Sequence, residues 1–390
     1  MKALRVLLLL CLIGMTASCV EPLDYDAMES NALKLTLRFF IPHTERGETK
    51  TDGTSANAER ENTLYDLQVW AFDHDYAPDT TALAYGRVTN IQHATGWTDP
   101  NTYEMTLFFP YYLTTRSSLK VDFYVLGNGA SINLGDYSHA LRSQIDSLGF
   151  GIGAAGDPDP FGASSPVLSL ESGKGLPISG YFDKNGEGYD ISDLKDSTNW
   201  KGPLDTAIIP VMKLSRAVSK LNFIVSRPQG LNAIIQKIEL NTGQIPDSTF
   251  VFPHHSTICR TATHYGGSAT LGSDSTPIMN NIGEMDDPAS LRDKSVAVML
   301  DSVSNGRASL VETYFRESDI KTLNGIIYYK VDNGTIQTKS FSLNDREGEP
   351  FSFRRNHSWT VYAYFQGNSI RIQTSPWNTW QVVVDPTYIE

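Results

Sequence analysis

An alternation of apolar and polar residues with a period of two constrains this chain most, and it is clearest at residues 33–41. Such a period places successive side chains on opposite faces of an extended segment, so it predicts a strand with one buried face. Pro42 ends the pattern, and a polar connection over residues 43–63 follows. A connection that long is typical of a functional or disordered segment. The apolar residues that share the buried face are Leu33, Leu35, Leu37, Phe39 and Ile41.

Short runs rich in β-branched and aromatic residues, bounded by Gly, Pro, Asn or Ser, recur along the rest of the chain. Each such run predicts a strand. Only residues 137–148, with Asp136 placed to cap the first turn, predict a helix. Many strands with almost no helix indicate an all-β protein built of β-sandwiches. The runs lie at 64–72, 103–109, 119–126, 207–214, 217–225, 234–240, 296–300, 326–331, 359–365, 370–372 and 380–384. Residues 149–200 are interpreted instead as long surface connections around short apolar segments at 167–170 and 176–181.

The predicted domains are an N-terminal β-sandwich at residues 31–227, with one short helix and long loops, and a C-terminal β-sandwich at 228–390. The division is placed at the turn residues 227–230. The chain is long enough for two domains of ordinary size.

The first eighteen residues predict a secretory signal. Lys2 and Arg5 precede an apolar run over residues 6–13, which is far shorter than the ~20 residues that cross a bilayer. Small residues then lead to Cys19, a pattern that resembles the lipobox of bacterial lipoproteins, although Thr16 stands where Leu is usual. We expect lipidation, including palmitate, on Cys19, with residues 19–30 as a linker. The alternative is an ordinary secretory signal with a chance cysteine.

The residues after Cys19 point to the cell surface. Glu21, Asp24 and Asp26 resemble the acidic tag by which Bacteroidetes send lipoproteins to the outer face of the outer membrane. The formal net charge of −12 disfavours nucleic acid as a partner. Of the three cysteines, Cys11 lies in the predicted signal and Cys19 would carry the lipid, so Cys259 would have no disulfide partner within the mature chain.

Two loop motifs resemble a dinucleotide-binding loop and a calcium-binding loop, but the residues around each motif do not fit that kind of site. Gly151, Gly153 and Gly156 spell G-x-G-x-x-G, yet a dinucleotide loop requires a buried strand before it and a helix after it. Residues 183–188 imitate the first half of a calcium loop, but Leu194 stands where a closing Glu is needed. We expect surface turns at both places.

A third motif is the cluster of His254, His255, Cys259 and His264, whose residue types zinc accepts. The spacing matches no established zinc pattern, and a polar surface loop is the favoured interpretation. No pair of carboxylates is marked for acid and base roles, so neither an enzyme nor a cofactor is predicted.

Several segments resemble the fimbrillin superfamily, the pilus subunits and anchors of Bacteroidales, in the same order along the chain. The family's fold is a tandem of two transthyretin-like β-sandwiches, which agrees with the strand pattern. The segments read VLGN at 125–128, LPISG at 176–180, IPVMKLSRAVSKL at 209–221, RNHSW at 355–359 and PW at 376–377.

The resemblance implies an assembly chemistry. In polymerising members an Arg-specific protease cuts behind the first strand, that strand leaves, and a strand of the next subunit enters the groove by donor-strand exchange. Here Arg46 would be the first candidate cut and Arg60 the second, and Val382 and Val384 would lie in the donor strand. The plug residues would be Leu35, Leu37, Phe39 and Ile41.

The resemblance therefore implies a lipidated fimbrial subunit at the outer membrane, whose partners are other fimbrial subunits, that protease and a surface receptor. Whether it is shaft, tip or anchor stays open, and the short tail beyond Trp380 slightly favours an accessory or tip role. One alternative is a surface glycan-binding lipoprotein of a nutrient-uptake system that uses exposed tryptophans and tyrosines for stacking. Of its six tryptophans, Trp70 and Trp359 lie in strand patterns, which predict that both are buried in the core. The other alternative is a glycosidase, which would need two facing carboxylates.

Overall fold

The computed structural model describes residues 33–41, 61–91, 102–151, 167–168, 175–192, 211–253, 268–285, 303–344 and 352–379, with short gaps inside the second, third, sixth and eighth of these stretches. Twenty-one strands form five sheets within them. The first strands are β1 (Leu33–Phe40), β2 (Leu67–Asp73), β3 (Ala84–Val88), β4 (Thr102–Phe109), β5 (Lys120–Gly127), β6 (Gly149–Gly151), β7 (Val167–Leu168), β8 (Ile178–Phe182), β9 (Tyr189–Asp190), β10 (Met212–Lys213) and β11 (Ser215–Arg216). The others are β12 (Val218–Arg227), β13 (Ala233–Asn241), β14 (Ser248–Phe250), β15 (Ser268–Gly272), β16 (Gly283–Glu284), β17 (Ser309–Arg316), β18 (Thr322–Val331), β19 (Gln337–Asn344), β20 (His357–Gln366) and β21 (Ser369–Thr379).

Two sheets from the first part of the chain face each other. Sheet I has the order β10-β1-β4, and sheet II has the order β11-β8-β5-β2-β3 with β9 also on β5. Odd-numbered residues of β5 and the inward residues of β1 and β4 meet in one apolar core. Burial of this apolar surface is what holds a sandwich together.

A second pair of sheets follows. Sheet III has the order β21-β20-β12-β17-β7 with β16 also on β12, and sheet IV has the order β15-β13-β18-β19. The core between them includes Phe223, Ile238, Ile327 and Val361, each at most 1% exposed. The described part of the chain is therefore all-β, as predicted.

A third apolar cluster joins the two pairs of sheets. It combines Trp70 and Tyr124 of sheet II with Val218 and Tyr314 of sheet III, all at most 1% exposed. The indole N–H of Trp70 donates to the carbonyl oxygen of Tyr137 at 2.9 Å. We call this region the junction.

The predicted helix is shorter than its pattern. Residues 137–148 contain only α1 (Arg142–Asp146) as helix, because Leu141 is extended (φ −72°, ψ 152°) and bridges to Thr81. Ile145 is fully buried in the junction, so the face predicted to be apolar does pack inward.

The predicted domain boundary between residues 227 and 228 does not coincide with the division between the two pairs of sheets. Strand β12, which precedes the predicted boundary at residues 227 and 228, pairs with β17, β20 and β16 of the later part of the chain. A division into two domains, which stays a prediction, therefore fits better before Val218 than after Arg227. The predicted strands at 296–300 and 380–384 lie outside the described residues.

Candidate functional site

The first strand lies in a groove between two other strands of sheet I. β1 runs antiparallel to β4 along its whole length, from Leu33 opposite Phe109 to Phe40 opposite Thr102. On its other side it runs parallel to β10, with Phe39 opposite Met212. β1 therefore supplies the middle strand of a sheet whose two outer strands lie far away in the sequence.

The inner face of β1 is completely enclosed. Leu35, Leu37 and Phe39 are 0% exposed and Ile41 is 1% exposed. Leu35 lies opposite Leu107, Leu37 opposite Met105 and Phe39 opposite Tyr103, and all six belong to the core between sheets I and II. The alternation predicted from sequence is thus confirmed as burial, whereas the plug role stays a proposal.

Polar pairs cover the outer face of the same two strands. The Nε atom of Arg38 donates to Oε1 of Glu104 at 2.8 Å, and the hydroxyl oxygens of Thr36 and Thr106 are 3.0 Å apart. The Nζ atom of Lys34 lies 5.4 Å from the ring centroid of Phe108, which is 36% exposed. Cross-strand pairs of this kind stabilise one register over its neighbours.

A buried ion cluster lies just beyond β10, at the junction. Lys220 donates from Nζ to Oε1 of Glu61 at 2.7 Å and lies 2.5 Å from Oε1 of Glu312. The Tyr314 hydroxyl donates to the same oxygen of Glu61, and Nε of Arg216 donates to the Glu61 carbonyl oxygen at 3.2 Å. Glu61, Arg216, Lys220, Glu312 and Tyr314 form what we call the buried ion cluster.

Burial and charge act against each other in this cluster. Burial lowers the pKa of Arg216 to about 10, although Glu61 opposes that effect. For Lys220 burial also lowers the pKa, but Glu61 and Glu312 outweigh it and the pKa is raised. Burial, followed by Glu61, raises the pKa of Tyr314. Lys220 therefore keeps its proton and neutralises the carboxylates that surround it.

Two of the motifs that resemble fimbrillins converge on the cluster. Arg216 and Lys220 belong to the segment at 209–221, and NH1 of Arg216 donates to Oδ1 of Asn356 at 3.0 Å. Asn356 has a positive φ of 58° and its N–H donates to the carbonyl oxygen of Val218. The RNHSW turn at 355–359 is thereby fixed against the first residues of β12.

Arg355 extends the same connection towards sheet II. It pairs through NH2 with Oε2 of Glu317 at 2.8 Å and donates to the carbonyl oxygens of Phe250 and Val251 at 3.0 Å each. Val251 in turn accepts a hydrogen bond from the Ser179 hydroxyl. The LPISG segment at 176–180 is therefore linked to the RNHSW turn.

Asn128, the last residue of the VLGN motif, connects its own segment to the segments around Thr63 and Leu176. It has a φ of 59° and is fully buried. Its Nδ2 donates to the carbonyl oxygens of Thr63 and Leu176 at 3.0 and 2.8 Å, and its Oδ1 accepts from the N–H of Tyr65 at 2.8 Å. Asparagine tolerates the left-handed conformation better than most residues and here also satisfies buried backbone groups.

The other predicted site residues lie outside the described residues. These are the lipidation site Cys19, the candidate cuts Arg46 and Arg60, the donor residues Val382 and Val384, and the cluster His254, His255, Cys259 and His264.

The loop motifs have structural explanations where they are described. The carbonyl oxygen of Asp183 accepts the N–H groups of Gly186, Glu187 and Gly188 at 2.8–3.1 Å, so the calcium-like segment closes on its own backbone. Gly151 ends β6, which pairs with β14. Among the described residues, no group of three or more His, Cys, Asp or Glu could hold a metal ion.

Trp70 and Trp359 are 0% and 3% exposed, so neither offers a stacking surface, as their strand patterns predicted. Within the described stretches, no helix is both long and apolar enough to span a membrane.

Sequence reasoning missed the buried ion cluster. Glu61 follows a polar connection and carries no pattern that would predict a fully buried carboxylate. The available signal was Arg216 and Lys220, two cations placed inside a strongly apolar strand region, since a charge in such a place usually has a buried partner.

No protein-family profile matches the chain. No curated protein sequence matches it either.

Solved structures do match. The tip fimbrial protein Mfa3 from Porphyromonas gingivalis, truncated at its C-terminus, matches with a TM-score of 0.47 at 13% identity, covering 88% of this chain and 98% of that chain. A candidate cell adhesion protein from Parabacteroides distasonis gives 0.46 at 13% identity, with 90% and 98% covered. The fimbrial anchor protein Mfa2 from Porphyromonas gingivalis gives 0.30 at 11% identity, with 90% and 99% covered. The chain is thus similar in structure to fimbrial and cell adhesion proteins.

Proposed function

We propose that this protein is a lipidated subunit of a surface fimbria that joins its neighbours by donor-strand exchange. The observation that carries the proposal is the position of β1. It is the first described strand, its side chains Leu35, Leu37 and Phe39 are fully buried in the groove, and residues 42–60 separate it and the buried Ile41 from the next described residue, Glu61. An extended segment can enter such a groove because the backbone groups of β4 and β10 pair with any strand and the pockets fix its register.

The fimbrillin-like motifs support the same proposal through the junction. They place Asn128, Arg216, Lys220 and Asn356 in the contacts that hold the chain after residue 61 to both sandwiches. None of these contacts involves β1 in the described structure. These contacts would therefore remain when β1 leaves, whereas β4 and β10 would lose the strand that joins them in sheet I until a new strand enters.

Of the two candidate cuts, the geometry favours Arg46. A cut after Arg60 would require the protease to hold Glu61 in an extended conformation, yet Glu61 is 0% exposed and is tied to Lys220, Arg216 and Tyr314. Proteases cut where local opening costs little. Arg46 lies far from this anchor in the sequence.

The test is intact mass and N-terminal sequencing of the protein recovered from native surface filaments and from the outer membrane. The expected chain in filaments begins at Gly47, and an Arg46→Lys variant should keep residues 19–46, because an Arg-specific protease no longer cuts there. Arg60→Lys is the matched control and should be processed normally.

Other results have definite meanings. A chain that begins at acylated Cys19 and keeps β1 would indicate an anchor or a surface lipoprotein that does not polymerise. Absence from filaments would overturn the proposal and favour the glycan-binding alternative.

A further inference from the structure

We infer that the β1 groove selects a strand from a different subunit, one that carries a lysine or arginine facing Glu104 on its outward face. The inference rests on the proposed strand exchange and adds the chemistry of the partner. The inner face of the groove accepts any strand with alternating apolar residues, so it gives little specificity. The outer face, with its polar and charged side chains, is more specific.

The ion pair between Arg38 and Glu104 is the specific element of that outer face. The two residues lie directly opposite each other in the register of β1 and β4, with Nε and Oε1 2.8 Å apart. Their side chains are only 14% and 25% exposed, so solvent screens the pair less than it would at an open surface. Among the described residues, Arg38 is the ion-pair partner of Glu104, and removal of β1 leaves the carboxylate without it.

The neighbouring positions extend the requirement. Lys34, four residues before Arg38, lies over the ring of Phe108, and Thr36 between them bonds to the hydroxyl of Thr106. Strand β4 therefore presents a ring, a hydroxyl and a carboxylate at successive outward positions. A cation, a hydroxyl and a second cation at alternate positions of the incoming strand match them.

The C-terminal segment of this chain does not fit that description. Residues 372–390 contain no lysine, arginine or histidine, and they contain Asp385 and Glu390. In the proposed donor segment, Gln381, Val383 and Asp385 alternate with Val382 and Val384. Such a strand would place a neutral or acidic side chain opposite Glu104, and like charges directly opposite each other destabilise a strand pair. The groove and the tail of this chain therefore belong to different pairings, and the polymer contact is between unlike subunits.

The experiment opens the groove without relying on natural processing. A site-specific protease sequence is inserted after Arg46 in the full chain and the chain is cut there. The cut chain is unfolded in urea, the released fragment that contains β1 is removed, the remainder is refolded, and labelled peptides are added. The first peptide has the sequence of residues 33–42, the second is the same with Arg38→Glu, and the third is residues 379–388. Binding is followed by fluorescence anisotropy, and circular dichroism checks that the cut protein is folded.

We expect the first peptide to bind about tenfold more tightly than either of the others. The reason is that the second and third peptides lack the charge-assisted hydrogen bond from Arg38 to Glu104. In the cut Glu104→Arg protein the order of the first two peptides should reverse. Equal binding of the first two peptides, or tight binding of the third, would overturn the inference while leaving strand exchange intact. If no peptide enters a folded, cut protein, strand exchange itself fails and the inference fails with it.

Discussion

The Nζ atom of Lys220 lies 2.7 Å from Oε1 of Glu61, although 159 positions separate the two residues in the chain. Glu61 is 0% exposed and Lys220 is 6% exposed. The contact fixes the end of the connection that follows β1 to a strand of sheet III. In consequence, the first residue described after the connection is anchored to sheet III by buried contacts.

Replacing Glu61 with Gln should destabilise the protein strongly. The change leaves the ammonium of Lys220 and the guanidinium of Arg216 with one fewer buried counter-charge, and breaking a buried pair typically costs about 3 kcal/mol or more. The free energy of unfolding, measured by urea titration at pH 7, checks this.

The matched control is Glu284→Gln. Glu284 pairs with Arg227 at 2.7 Å, but its side chain is 44% exposed, so its loss should cost at most about 1 kcal/mol. Equal losses in the two variants would mean that the buried ion cluster stabilises the fold no more than an exposed ion pair does.

Truncating an inward residue of β1 should weaken its hold on the groove. Leu37→Ala removes a fully buried side chain opposite Met105 and should cost about 2–5 kcal/mol in the free energy of unfolding. Ile336→Ala, at a side chain 46% exposed, is the control and should cost well under that. A Leu37→Ala protein as stable as wild type would mean that β1 does not occupy this groove in solution.

The role of Asn128 can be separated into conformation and hydrogen bonding. Asn128→Gly keeps the positive φ accessible but loses the bonds to Thr63, Tyr65 and Leu176, which should cost about 2–4 kcal/mol. Asn128→Ala loses the same bonds and adds about 1 kcal/mol of backbone strain. Thermal or urea unfolding of both variants should therefore rank alanine below glycine, and the reverse ranking would show that the left-handed backbone is unimportant.

Stability should fall at alkaline pH, and Tyr362 should contribute to the fall. Burial raises the pKa of Tyr362 to about 12 in the folded protein, against about 10 for an unfolded tyrosine. Because the folded pKa is the higher one, the contribution is complete below pH 10 and is lost as the pH rises towards 12. Tyr362→Phe should reduce the loss of unfolding free energy between pH 9 and pH 12 by about 2 kcal/mol.

The control for that titration is the same pair of proteins at pH 7, where any difference in their free energies of unfolding comes from the lost hydroxyl and not from its ionisation. Urea titrations at several values of pH between 9 and 12 make the comparison. An identical pH profile for Tyr362→Phe and wild type would refute the prediction.

The strands that were predicted from sequence are those with a strong local pattern. The alternation at residues 33–41 predicts β1, which buries one face. The apolar run at 217–225 predicts β12, which buries both faces over most of its length. Strand β19 was missed, since it is an edge strand in which only Phe341 and Leu343 are buried and the other six residues are polar. An edge strand needs apolar residues only where it meets the core, and that leaves too little pattern to detect.

The pairing of the strands could not be predicted from the sequence, for a different reason. Nothing local to β1 predicts that Phe39 lies beside Met212, or that Glu61 meets Lys220. Such contacts depend on the whole topology. The motifs at 125–128, 209–221 and 355–359 were recognised as a resemblance, but only the structure shows that Asn128, Arg216 and Asn356 act as connectors between distant segments.

The position of β1 between β4 and β10 has a consequence for the order of folding. Because Phe39 and Phe40 pair with Met212 and Lys213, β1 cannot complete its pairing in sheet I until the chain is present as far as residue 213. Contacts between such distant parts of a chain form late and slowly. Until then the side chains of Leu35, Leu37 and Phe39 are open to other partners. Assembly by strand exchange would then repeat the closing step of the protein's own folding, with another chain's strand in the place of its first.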